Sequence, residues 1–164
     1  MAGLPEFLAW MTASALGVFM RQSGPWTYAI INLGHILGVA TFFGSILVLD
    51  LRLLGLWRRV PLAALSGATV PVAKVGFALA ATTGICLLST NGTEYVGNPF
   101  FNIKFPAIAL GLVNVWTLGR LPGWRARGER DLTHREHRQL AVVGAVSLAS
   151  WLTAISAGRM IGYW

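Results

Sequence analysis

The chain has 164 residues, 55% of them hydrophobic and only 12% charged, with a mean hydropathy of +0.62. A soluble domain is about 25% charged, so the composition points away from soluble classes and toward a small polytopic membrane protein forming one domain. The formal net charge is +7, but the arginines sit mainly in two loops between apolar segments, a membrane pattern and not a nucleic-acid face.

The first twenty residues lack the basic n-region of a cleavable signal peptide, so targeting is expected to come from the first transmembrane helix. Pro5 and Glu6 make a helix start, and Leu4, Phe7, Leu8, Met11, Ala15 and Val18 recur at helical spacing. Residues 5–20 would cover about 24 Å, short of the ~30 Å hydrocarbon core. The pattern predicts an amphipathic helix lying in the interface; a fifth, tilted span is the other reading.

Four spans follow, at about residues 26–54, 68–90, 100–119 and 139–157. Trp26 and Tyr28 mark the interface at the start of the first. In the second, Gly76, Ala80 and Gly84 form a small-residue ridge; in the third, Ala107, Gly111 and Gly119 form another. Ser147, Ser150, Thr153 and Ser156 supply polar glue in the fourth. The loop at 91–99 is polar, and the long loop at 120–138 is basic. Arg52, Arg58 and Arg59 follow the first span, and six more arginines lie between the third and fourth. The asymmetry predicts that both termini face outward, in an all-α, antiparallel four-helix bundle of the inner membrane.

A titratable side chain within such spans is a candidate functional residue. His35 lies about 13 Å below the outer boundary of the first span, and Lys104 enters the third from the same side. Gly38 would leave a gap beside the imidazole, with Phe42 as its floor, and Lys104 would point along the packing ridge of Gly111. Cys86, Arg159 and Met160 fall in the same outer half. At the inner end, Asp50 and Lys74 are expected to form a structural ion pair, and Arg52 to reach the headgroups. His134 and His137 have i, i+3 spacing in a loop rich in arginine, where a solvated role outweighs a metal site. Catalytic triads, phosphate loops and zinc boxes are absent from the sequence.

His35-x-x-Gly38, the run GSILVLDLRLLG at 44–55, FFNIK at 100–104 and AGR at 157–159 resemble an uncharacterised bacterial family of four-helix membrane proteins. More distantly, the chain is similar to HemJ-type protoporphyrinogen oxidases and CopD-type copper proteins. These carry an early transmembrane His followed by a Gly, the relation of His35 and Gly44, and the HemJ type adds an Arg and a Lys in the places of Arg52 and Lys104. That resemblance implies haem b with His35 as an axial ligand. The chain departs where those proteins place a later His, near Asn114 here.

Three functions follow as expectations. In the first, His35 binds haem b beside Gly38 and Phe42, with Lys104 and Arg159 meeting the propionates, for redox chemistry or electron transfer with a partner near the outer face. In the second, the protein is an accessory subunit of a membrane complex, or self-associates, and His35 only fastens helices. In the third, His35, Cys86 and Met160 hold copper.

Overall fold

The computed structural model describes residues 3–164, and every element among them is helical. In chain order these are α1 (Gly3–Ala13), α2 (Ala15–Gln22), α3 (Gly24–Leu53), α4 (Leu62–Asn91), α5 (Pro99–Arg120), α6 (Pro122–Arg125) and α7 (His134–Met160), with single 3-10 turns at Gly92–Tyr95 and Ile161–Tyr163. Four helical stretches are long and apolar enough to cross a membrane: Gly24–Leu53, Leu62–Tyr95, Pro99–Arg120 and His134–Tyr163. Their large apolar side chains are widely exposed, among them Trp26, Ile30, Val75, Val113, Trp116 and Val142, as lipid-facing surfaces require.

The helices start and stop where local chemistry sets them. At Thr133 a capping box begins α7: the Thr133 hydroxyl accepts from the Glu136 amide (3.3 Å), and the Glu136 carboxylate accepts from the Thr133 amide (2.8 Å). This carries the helix five residues beyond the expected span start at Gln139. Gly55, with φ +106°, ends α3. There the Leu56 amide returns to the Leu51 carbonyl and the Gly55 amide to that of Arg52, a Schellman cap.

The single interfacial helix expected at residues 5–20 is instead two helices, α1 and α2, bent by 56°. Ser14 makes the break. Its hydroxyl donates to the Met11 carbonyl (2.6 Å) and accepts from the Gly17 amide (3.2 Å), so it ends one helix and caps the next.

The chain forms two compact units. The first comprises residues up to Phe42 together with 74–98, and the second comprises 43–73 and 99–164. In the first unit, Leu8, Met11 and Met20 of the bent helix pair are buried. A Cβ at Gly17 would lie 2.7 Å from the Ser89 carbonyl oxygen, so the break rests on the end of α4. Arg21 donates to the Thr90 carbonyl (3.1 Å), satisfying a group that the last turn of α4 leaves open.

In the second unit, α5 packs on α7 through the ridge read from the sequence. A Cβ at Gly111 would stand 2.6 Å from the Trp151 ring, and Ala107 is buried, while Gly119 meets nothing within 4 Å. Asn114 donates to the Val143 carbonyl at 3.0 Å. Leu49, Leu53, Leu62 and Leu140 form a buried apolar cluster, with Leu118, Leu121 and Trp124 packed against it. Arg127, in the basic loop, donates to Ser66 (2.9 Å) and stacks 4.1 Å over the Trp124 ring. Arg52 does not reach toward headgroups. It is buried, and its guanidinium donates to the Val60 (2.9 Å) and Arg58 (3.2 Å) carbonyls, because the turn after α3 leaves those oxygens without partners.

Candidate functional site

The first unit holds His35 at the closest approach of α3 and α4. The ridge of Gly76, Ala80 and Gly84 is what makes that approach possible. A Cβ at Gly76 would lie 2.5 Å from the Phe42 nitrogen, and one at Gly38 would lie 2.6 Å from the Ala80 nitrogen. Two backbones this close leave no room for side chains between them.

The imidazole occupies the space that Gly84 vacates: a Cβ there would stand 3.0 Å from His35 Cε1. His35 Nδ1 is 2.9 Å from the Ala80 carbonyl oxygen and 3.2 Å from Thr83 Oγ1. A carbonyl only accepts, so Nδ1 carries the proton. Thr83 passes its own proton to the Leu79 carbonyl (2.6 Å) and therefore accepts from the imidazole. In the neutral ring, the lone pair then belongs to Nε2.

The gap expected beside Gly38 is not there. The backbone of Ala80 fills it, because Gly38 is one of the points where α4 comes close. Phe42 is buried, and its ring packs at 5.4 Å from that of Phe77. Gly84, which the sequence offered only as part of a ridge, is the residue that makes room for the imidazole.

In the second unit, Lys104 does turn inward along the packing face. Its stem lies against Gly158, whose added Cβ would be 3.5 Å from both Cε and Nζ. Arg159 follows directly but is exposed, stacked 4.6 Å over the Tyr163 ring and donating to its hydroxyl. The two expected propionate partners thus lie at one end of the α5–α7 pair.

Of the copper set, His35 and Cys86 belong to the first unit and Met160 to the second. Among the described residues, no three His, Cys, Asp or Glu side chains gather as a metal site. Likewise Asp50 belongs to the second unit and Lys74 to the first. Within its own unit, Asp50 is buried and its Oδ2 has no hydrogen-bond partner. His134 and His137 are exposed.

A family model described as "Family of unknown function (DUF6644)" matches residues 7–164. No curated protein and no solved structure matches the chain. The resemblance to an uncharacterised family is borne out, while the likeness to HemJ-type and CopD-type proteins gains no support from these comparisons.

Proposed function

The chain belongs to the family of unknown function DUF6644, and from its residues we propose a multi-pass inner-membrane protein that holds haem b through His35, for redox chemistry or electron transfer near the outer face. The observation that carries this reading is the hydrogen bond from His35 Nδ1 to the Ala80 carbonyl. Metal-bound imidazoles typically donate their second ring nitrogen in this way, which fixes the tautomer and raises the basicity of the ligating nitrogen. Here it directs the lone pair to Nε2. A bound haem would supply one-electron chemistry, and His35 is the side chain that would hold it. The chain's own part is to orient that ligand through Ala80 and Thr83. Gly38 has no place in the cofactor pocket, since Ala80 stands against it.

Four spans in an antiparallel bundle, with both termini outside, complete the proposal. Close pairs descend in opposite chain directions within each unit: 34 with 83, 38 with 80 and 42 with 76 in the first, and 104 with 158, 111 with 151 and 114 with 143 in the second.

The test is an absorption spectrum and iron analysis of protein purified from haem-supplied cells. A Soret band with bound iron is expected, lost in His35→Ala while the protein stays folded and membrane-inserted. A colourless, iron-free wild type would overturn the reading.

The close approach at Gly38 and Gly76 favours a second reading, in which His35 fastens two helices of an accessory subunit. His35→Ala would then cost about 0.6–2 kcal/mol in a colourless protein.

A further inference from the structure

The second unit carries a seam between α5 and α7 whose two ends differ in chemistry. At one end, Leu121, just beyond α5, faces Arg135, Arg138, Gln139, Val142 and Val143 of α7 around a hollow of about 390 Å³. Further along, Ile103, Pro106 and Leu110 of α5 face Val146, Ala149 and Thr153 of α7 around a largely apolar hollow of about 480 Å³. Helical spacing puts the two hollows in line. At ~100° per residue, Arg135, Arg138, Val142, Val146, Ala149 and Thr153 lie within about 80° of one another on α7.

The two arginines of the basic end are uncommitted. Elsewhere in this unit, Arg52 bonds the Val60 and Arg58 carbonyls, Arg120 stacks on Trp116, Arg125 bonds the Gly119 carbonyl, Arg127 bonds Ser66 and Arg130 pairs with Glu136. Arg135 and Arg138 are exposed and make no hydrogen bond, ion pair or ring contact with any described residue. Among the described residues, no carboxylate lines their hollow. Glu136, between them in sequence, is buried and bonds Arg130 and the Thr133 amide. Both arginines also stand in the first two turns of α7, at the positive end of its dipole, where an anion is favoured.

We propose that this seam binds one anionic phospholipid, with its phosphate between Arg135 and Arg138 and one acyl chain along the apolar hollow. Depth along α7 fits such a molecule. Arg138 and Arg135 lie about 3 and 8 Å before Leu140 of the apolar cluster, at ~1.5 Å per residue. The polar layer on each side of a bilayer is about 5–8 Å thick, so both guanidinium groups fall among headgroups. Val142 to Thr153 covers about 16 Å, and one leaflet contributes about half of the ~30 Å hydrocarbon core. Guanidinium groups meet phosphate oxygens in paired hydrogen bonds, and Gln139 beside them adds a neutral donor. Two uncompensated cations favour a headgroup of net negative charge over a zwitterionic one. A free phosphate would answer the arginines and leave the apolar hollow unfilled, whereas a lipid answers both. The site stands independently of any cofactor at His35.

Native mass spectrometry of the full-length protein in detergent micelles, titrated with phosphatidylglycerol or phosphatidylcholine, reads the site. A one-to-one phosphatidylglycerol adduct is expected, about thirty-fold tighter than the phosphatidylcholine adduct. Arg135→Gln and Arg138→Gln should each weaken phosphatidylglycerol binding about fivefold, and the double variant should lose the preference. Arg59→Gln removes an exposed arginine outside the hollow and should leave the preference intact. Ala149→Trp, which fills the apolar hollow, should weaken both lipids. Equal binding of the two lipids by the wild type would overturn the proposal, as would an undiminished preference in the double variant or unchanged binding in Ala149→Trp. Displacement of the lipid by equimolar inorganic phosphate would overturn it in favour of a free anion. A lipid-free dimer would overturn it by placing a second copy of the chain on this face.

Discussion

At the scale of single residues, three glycines decide how α3 and α4 meet. Gly38 and Gly76 stand where an added Cβ would fall within 2.6 Å of backbone, and Gly84 stands where it would touch the imidazole. Backbone cannot move aside as a side-chain tip can, so Gly38→Leu and Gly76→Leu should each cost about 1–3 kcal/mol or more. The thermal midpoint of detergent-purified protein reads this directly. Gly44→Ala is the control, because nothing lies within 4 Å of its added Cβ. Equal midpoints for Gly38→Leu and Gly44→Ala would show that the helices do not approach here. The ridge at 76, 80 and 84 was legible in the sequence because a four-residue repeat of small residues marks one helix face. What it faces was not legible. The partners of His35 lie 45 and 48 residues away, and no local pattern encodes such a pairing. Gly38 illustrates the ambiguity: the same missing side chain that could leave a gap for a ligand here admits a neighbouring helix.

At the scale of elements, helix ends are set by a few polar groups that hydropathy does not weigh. The α7 start depends on Thr133 and Glu136, so Thr133→Ala should cost about 1 kcal/mol, and Thr133→Ser should recover most of it. Thermal unfolding of the two variants checks this, and an unchanged midpoint in Thr133→Ala would mean the box adds no net stability. The box was readable as T-x-x-E, yet the expected span began only at Gln139, because that reading followed apolar length and the helix extends past it. Arg52 and Ser14 show the same thing. A charge near the end of a span suggests snorkelling, but the turn at 54–60 offers carbonyl oxygens, and Arg52 takes them. Apolar periodicity runs across residues 5–20, but Ser14 bonds backward to Met11 and forward to Gly17, and the helix divides.

At the scale of the whole molecule, the number and length of the helices and the sign of the loops carry the remaining argument. Four stretches can span, and an even number of spans places both termini on one side. Arginines concentrate in the turn after α3 and in the segment between α5 and α7, both of which follow an odd-numbered span. In the topology proposed above, the positive-inside tendency would put those segments at the inner face and the Gly92–Tyr95 turn at the outer face. The bent pair α1–α2 is the element on which this depends, because counting it as one span gives five. Its contacts argue against an independent crossing: Gly17 rests on the Ser89 carbonyl, and Arg21 on that of Thr90, at the same end of α4 as the 91–99 loop. Single cysteines placed at Asn91 and Arg127 in a Cys86→Ser background should therefore label from opposite sides of intact cells with a membrane-impermeant maleimide, Asn91 from outside and Arg127 only after permeabilisation. A third cysteine at Glu6 distinguishes the counts. External labelling at Glu6 fits a helix pair folded back on the outer end of α4, whereas labelling only after permeabilisation would make the pair a crossing, and the four-span topology would fall.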